Sequence, residues 1–120
     1  MPTRSATDLI TDAKTRITEV PVTRVQEMQE RGLGVVYLDV REENEWNMGH
    51  LPRATLIPRG VLESQIEQRV PRDTPIVIYC ASGNRSALAA DTLQEMGYTH
   101  VSSMAGGFRA WVDAGGMVEA

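Results

Sequence analysis

The fold is decided by the stretch Ile76-Val77-Ile78-Tyr79-Cys80-Ala81-Ser82-Gly83-Asn84-Arg85-Ser86. It opens with apolar, mostly β-branched residues, as in a buried strand, and a helix-prone run follows from Ser86 to Met96 before Gly97. A short loop between a strand and a helix leaves backbone N–H groups pointing into the loop, where the helix dipole adds positive potential. Such surroundings bring a cysteine pKa from ~8.5 to roughly 3.5–7.5. We therefore expect Cys80, the single cysteine of the chain, to be a nucleophile.

Helix-like and strand-like segments alternate along the chain, which is typical of an α/β domain with a mostly parallel sheet. The predicted strands are 18–20, 34–39, 55–57, 76–79 and 101–104, and the predicted helices are 9–17, 23–31, 60–68, 86–96 and 108–113. The first helix is capped by Ser5 or Thr7, and it is either a frayed extension or docked on the domain. Thr23 and Gln26 have the spacing of a capping box for the second helix.

Several polar or flexible residues lie at or just after the carboxyl ends of the predicted strands. Asp39 ends a strand, and Cys80, Arg59 and Gly106 each come after one. In an open parallel sheet, ligands bind beyond the carboxyl ends of the strands. We therefore expect these residues, which are far apart in the sequence, to meet at one edge of the sheet and to form a site there.

The loop and four further segments carry a family resemblance. Four residues separate Cys80 from Arg85, which resembles the active loop of rhodanese-like sulfurtransferases, whereas cysteine phosphatases space this pair by five. Residues 38–41, 45–54, 57–60 and 106–111 resemble the other marks of a rhodanese domain, in the family's order. The resemblance implies a three-layer α/β fold with a five-stranded, mostly parallel sheet flanked by helices. In that interpretation residues 1–17 are a helical extension and residues 18–120 form the domain.

The resemblance also implies a function. A thiosulfate or persulfide donor would pass a sulfane sulfur to Cys80, and a thiol or cyanide acceptor would remove it from the resulting persulfide. No organic cofactor and no metal is implied. Two alternatives stay open at this point: a non-catalytic docking or regulatory module, and a phosphatase or arsenate reductase of related fold, which would need the longer loop.

The candidate site residues fall into two groups. The expected substrate-binding residues are Arg59, Ala81, Ser82, Gly83, Asn84, Arg85 and Ser86. The expected supporting residues are Asp39, Arg41, Glu45, His50, Gly106 and Gly107. Within the second group we predict that Asp39 accepts loop hydrogen bonds and that Arg41 pairs with Glu45. Arg85 and Arg59 each have a second interpretation, in which Arg85 pairs with a surface carboxylate and Arg59 is solvated.

Composition sets the remaining limits. A chain of 120 residues with 42% hydrophobic content fits one domain, and a net charge of −4 with dispersed basic residues predicts neither nucleic-acid nor membrane binding. One cysteine excludes an internal disulfide, and two isolated histidines make no metal-ligand pattern. The first residues lack the apolar run of a secretory signal. We expect a cytoplasmic monomer or homodimer.

Overall fold

The computed structural model describes residues 3–120, which are built around a five-stranded sheet. The strands are β1 (Thr18–Val20), β2 (Val36–Asp39), β3 (Ala54–Leu56), β4 (Ile76–Tyr79) and β5 (Val101–Met104). They lie in the order β1-β5-β4-β2-β3, and every neighbouring pair is parallel. The predicted α/β fold with a five-stranded central sheet is confirmed. Because β4 occupies the middle position, the residue that follows it lies at the centre of the carboxyl edge.

Helices cover both faces of the sheet. They are α1 (Ala6–Lys14), α2 (Val22–Glu30), α3 (Glu43–Asn47), α4 (Leu62–Arg69), α5 (Asn84–Glu95) and α6 (Gly107–Asp113). Successive strand residues point to opposite faces, so Ile76 and Ile78 pack against α4 and α5, whereas Val77 and Tyr79 pack with α2 and α6. The sheet therefore has two separate apolar cores, and Cys80 belongs to the one beneath α5.

The N-terminal helix α1 packs against α5. Ser5 caps it in a reciprocal capping box with Asp8, and Ala13 is fully buried. Just beyond the helix, the Arg16 guanidinium donates two hydrogen bonds to Asp91 of α5, at 3.0 and 2.7 Å. Of the two predicted possibilities, the docked helix is the one present. The division of the chain after residue 17 stays a prediction.

The local predictions need correction at several places, and the bounds of α1 and β3 also differ from the predicted ones by one to three residues. The Thr23–Gln26 capping box is wrong, because α2 begins at Val22 with Pro21 as its N-cap and no side-chain cap. The short helix α3 was not predicted, and it begins after Glu42 with a capping box of its own. Strand β2 begins at Val36 rather than at residue 34. No helix within residues 3–120 is both long enough and apolar enough to cross a membrane.

Candidate active site

Cys80 directly follows β4, and its sulfur lies inside the loop that leads to α5. Two backbone amides donate to Sγ, from Gly83 at 3.1 Å and from Ser86 at 3.3 Å. The Ser86 hydroxyl oxygen lies 3.5 Å from the same sulfur. Gly83 has a φ of +100°, a left-handed conformation that glycine adopts at little cost. This conformation lets the loop curl around the sulfur, so that hydrogen-bond donors surround it.

The pKa of the Cys80 thiol reflects opposing influences. Burial is the largest one and raises the pKa, because Cys80 is only 1% exposed. Hydrogen bonds from the Ser86 side chain and from the Ser86, Ser82 and Gly83 amides lower the pKa and outweigh burial. The resulting pKa lies below the ordinary value, which favours the thiolate. The side chain of Ser82 is exposed, so this residue acts on the sulfur through its backbone.

The first turn of α6 supports the loop from behind. The Phe108 amide donates to the Cys80 carbonyl at 2.7 Å, and the Arg109 amide donates to the Ala81 carbonyl at 3.1 Å. Gly107 makes this contact possible, since its φ is +61° and a Cβ there would lie 2.5 Å from the Cys80 oxygen. Gly83 of the loop also lies close to Gly106. A Cβ added at Gly83 would be 3.2 Å from the Gly106 backbone nitrogen. The loop carbonyls therefore bond to α6 while the loop amides bond to the sulfur.

Arg85, in the first turn of α5, forms a two-point ion pair with Glu45 of α3. The distances are 2.9 Å for Nη1–Oε1 and 3.0 Å for Nη2–Oε2. The hydrogen bonds from Arg85 are the main reason that the pKa of Glu45 falls to about 2. The pairing of Arg85 with a carboxylate is present, and it joins α3 to the loop that follows Cys80. A role of Arg85 in substrate binding stays a prediction.

Asp39 and Arg41 form a second, buried ion pair. Asp39 is 0% exposed and Arg41 is 4% exposed. The Arg41 guanidinium donates to Asp39 through Nε at 3.0 Å and through Nη2 at 2.8 Å, and Nη2 also donates to the Gly49 carbonyl at 2.7 Å. The predicted Arg41–Glu45 pair is therefore wrong. A buried carboxylate needs a partner, and Arg41, two residues along the chain, turns back to supply it.

His50 contacts helix α3 and the C-terminal segment, and its role as a supporting residue of the site stays a prediction. Its ring stacks on Trp46 with 3.5 Å between ring centroids, and Nδ1 lies 3.1 Å from the Trp46 carbonyl oxygen. Its backbone pairs with Glu119 in an antiparallel bridge. Within residues 3–120, no group of three His, Cys, Asp or Glu side chains is placed to hold a metal ion.

Arg59 lies away from the loop, and Arg109 lies beside it. The Arg59 guanidinium donates to Glu63 at 2.8 Å and to Thr92 at 3.2 Å. Thr92 is two helical turns beyond Asn84 on α5, about 12 Å along the helix axis. Arg109, which the sequence did not single out, is exposed, and its guanidinium makes no hydrogen bond or ion pair within the described part of the chain.

Ser103 is a second residue that the sequence did not single out. Its Oγ lies 2.8 Å from the Ser86 Oγ, and both serines are 0% exposed. The available signal was weak, because Ser103 is one of two consecutive serines in the four-residue strand Val101–Met104. Asn84, by contrast, is exposed as the first residue of α5, and Ala81 is half-buried.

Comparison with known protein families identifies the family to which this chain belongs. The sequence matches the family profile "Rhodanese-like domain" over residues 22–114, which is more than half of the chain. The chain belongs to the rhodanese-like domain family. The predicted resemblance is thereby confirmed, and the matched range contains the loop, both ion pairs and the supporting glycines.

Three proteins illustrate how close the relatives of this rhodanese-like domain are. Uncharacterized protein YqhL of Bacillus subtilis is 39% identical over 83 residues, which is 69% of this chain and 63% of YqhL. A sulfurtransferase of Allochromatium vinosum is 35% identical over 81 residues, 68% of this chain and 75% of that protein. A solved structure from Rhodopseudomonas palustris, RPA3614, described as a protein of unknown function and possible tyrosine phosphatase, has a TM-score of 0.90 and 35% identity, covering 99% of this chain and 97% of that one. This chain thus spans less than two thirds of YqhL.

Proposed function

We propose that this rhodanese-like domain is a sulfurtransferase that carries a sulfane sulfur as a persulfide on Cys80. The observation that carries the proposal is the ring of donors around Sγ, with amides at 3.1 and 3.3 Å and a hydroxyl oxygen at 3.5 Å. Such donors stabilise negative charge on sulfur, and they do so without a neighbouring base. The similarity to the A. vinosum sulfurtransferase supports the same reaction class.

In the first half-reaction, the Cys80 thiolate attacks the outer sulfur of the donor. With thiosulfate, an S–S bond to Cys80 forms as the S–S bond of thiosulfate breaks, and sulfite leaves with the bonding electron pair. With a low-molecular-weight or protein persulfide, a thiolate leaves in its place. The sulfur is transferred between nucleophiles, so the step needs no external oxidant or reductant.

In the second half-reaction, a thiolate or cyanide acceptor attacks the outer sulfur of the persulfide. The bond to Cys80 breaks, and its electron pair returns to Sγ. The donors that favour the thiolate make Cys80 available as a nucleophile in the first step and a good leaving group in the second. The two steps together constitute covalent catalysis with ping-pong kinetics.

We propose Arg109 as the cation that meets an anionic donor. The Arg59 guanidinium is paired with the Glu63 carboxylate, and the Arg85 guanidinium is paired with the Glu45 carboxylate. The Arg109 backbone is fixed 3.1 Å from the Ala81 carbonyl, and its side chain is exposed. We infer that this guanidinium, on a flexible stem beside the loop, meets the donor there. Its fork of donors suits the oxygens of a sulfonate group.

Phosphoryl transfer is the competing reaction for the same nucleophile. It would need donors directed at three outer oxygens and a guanidinium free to contact them. Here the Gly83 and Ser86 amides donate to Sγ itself, and Arg85 is held in a two-point pair by Glu45. These contacts favour sulfur transfer over phosphoryl transfer.

The test is intact mass spectrometry of the protein after exposure to thiosulfate and, separately, to a persulfide. We expect a gain of one sulfur atom, its discharge by cyanide or by a thiol, and no hydrolysis of an aryl phosphate. Cys80→Ser should remain folded and lose the adduct and turnover, because a hydroxyl is far less acidic than a thiol. Wild-type protein alkylated at Cys80 is the matched control. Turnover by Cys80→Ser, or phosphatase activity without a sulfur adduct, would contradict the proposal.

A further inference from the structure

A chain of buried hydroxyl groups leads from β5 to the reactive sulfur. The Ser103 Oγ lies 2.8 Å from the Ser86 Oγ, which lies 3.5 Å from the Cys80 Sγ. Both serines are 0% exposed, so solvent does not compete for these groups. Within residues 3–120, the Ser103 side chain has Ser86 as its one hydrogen-bond partner. The Ser103 Oγ, the Ser86 Oγ and the Cys80 Sγ therefore form a series connected by two hydrogen bonds.

The protonation state of Cys80 decides whether every donor among these three side chains has an acceptor. When Cys80 is a thiol, three protons (one S–H and two O–H) share the two hydrogen bonds, and one buried donor has no acceptor. When Cys80 is a thiolate, two protons share the two hydrogen bonds, and every donor is used. In that arrangement Ser103 donates to Ser86, and Ser86 donates to the sulfur. A buried donor without a partner costs free energy. Every hydroxyl donor in this hydrogen-bond series therefore has an acceptor only when Cys80 is a thiolate.

We propose that Ser103 is a positioning residue, which acts by turning the Ser86 hydroxyl toward the Cys80 sulfur. The proposal rests on the proposed function in taking Cys80 as the reacting residue. Ser103 itself contacts neither the sulfur nor a substrate. Without the Ser103 O–H, the Ser86 hydroxyl loses its one described hydrogen-bond partner other than the sulfur, and its donation to the sulfur weakens.

The charged groups around Cys80 do not involve Ser103. Arg85 of α5 is paired with Glu45 of α3. This pair is the main reason that the pKa of Arg85 is raised, and the charge of Cys80 contributes less. On the β2 side, the Asp39–Arg41 pair lies against the ring of Tyr79, the residue before Cys80. None of these side chains bonds to Ser103, so changing Ser103 leaves the charged surroundings of the sulfur in place.

Strand β5 offers a matched control in the neighbouring residue. Ser102 and Ser103 are consecutive, and their side chains point to opposite faces of the sheet. Ser102 is half-buried, and its hydroxyl makes no hydrogen bond within the described residues. Ser102→Ala and Ser103→Ala therefore make the same chemical change at adjacent positions of one strand, and only one of them touches the hydroxyl chain.

The experiment measures how the alkylation rate of Cys80 by iodoacetamide depends on pH. We expect Ser103→Ala to shift the thiol titration upward by about 0.5–1 pH unit, as for the weakening of one hydrogen bond to a charged group. Ser102→Ala should titrate like the wild type, and Ser103→Thr should restore the lower pKa. In a Ser86→Ala background, adding Ser103→Ala should produce no further shift, because Ser103 acts through Ser86.

A wild-type titration for folded Ser103→Ala, or an independent shift in the Ser86→Ala background, would overturn the proposal. Thermal denaturation establishes which variants fold. If Ser103→Ala does not fold, the comparison of Ser103→Thr with Ser103→Val tests the proposal instead. Threonine and valine have the same shape and differ only in the hydroxyl group, so only the valine variant should raise the pKa of Cys80. Alkylation requires no sulfur transfer, so a negative result here is distinguishable from the failure of wild-type protein to form a persulfide.

Discussion

Replacing Gly107 with alanine should separate α6 from the active loop. A Cβ at this position would lie 2.5 Å from the Cys80 oxygen and 2.7 Å from the Ala81 carbonyl carbon and oxygen. These are backbone atoms, which cannot move aside as a side chain can. Relief of the clash requires the start of α6 to shift, and the hydrogen bonds that Phe108 and Arg109 donate to the loop are then lost.

The expected loss of stability follows from these contacts. A left-handed backbone costs alanine roughly 1–2 kcal/mol, and each of the two hydrogen bonds contributes about 1 kcal/mol. We therefore expect the free energy of unfolding to fall by about 3 kcal/mol, which corresponds to a melting temperature lower by roughly 10 °C for a chain of this size. The Cys80 thiol should also become less acidic, because the loop that directs amides at its sulfur is no longer held.

Urea denaturation, together with the pH dependence of Cys80 alkylation, checks both expectations. Gly60→Ala is the matched control, because Gly60 has no left-handed φ and a Cβ there meets nothing within 4 Å. That variant should keep both the wild-type stability, to within about 0.5 kcal/mol, and the wild-type thiol titration. Equal denaturation midpoints for Gly107→Ala and Gly60→Ala would refute the argument that α6 supports the loop.

Two further predictions concern charge. Glu45→Gln should lower stability by about 1 kcal/mol at neutral pH, a value that allows for solvent screening of this half-buried pair. Because the pKa of Glu45 is lowered to about 2 in the folded state, its contribution is complete above about pH 5 and is lost as the pH falls through 2. Urea denaturation at several pH values checks this, and a difference between variant and wild type that does not shrink toward pH 2 would contradict it. Arg109→Gln should raise the KM for thiosulfate severalfold more than the KM for a neutral persulfide. The control is Arg31→Gln, at the C-cap of α2, which should change neither KM. Steady-state kinetics with both donors tests this prediction, and equal effects on the two donors would show that Arg109 does not take part in substrate recognition.

The sequence predicted those parts of the fold that depend on local patterns. Strands β4 and β5 both have the predicted bounds. An apolar, mostly β-branched run marks β4, whereas β5 is marked mainly by the glycines on either side of it, Gly97 before and Gly106–Gly107 after. The α/β class with a parallel sheet followed from the alternation of such segments, and the five-stranded form of the sheet followed from the family resemblance. The start of α2 was wrong because Pro21 fixes an extended N-cap, and the burial of Val22 and Val25 sets where the helix begins.

The site was harder to predict where it depends on tertiary contacts. Helix α3 has five residues, too few to show a periodic pattern. Sequence spacing allowed Arg41 to pair with Glu45, but burial of Asp39 decides the partner, and Glu45 instead reaches Arg85, which is distant in the sequence. Ser103 escaped notice for the same reason, since its role depends on which residue of α5 faces it.

The contact between α6 and the active loop also bears on how the protein is made. Cys80 and the loop that follows it precede Gly106–Arg109 in the chain, yet the Cys80 and Ala81 carbonyls accept hydrogen bonds from amides of that later segment. On a ribosome, the thiol is therefore synthesised before the residues that hold its loop in place. The hydrogen bonds that hold the loop around the sulfur are therefore complete only when α6 has been synthesised and has folded against the loop.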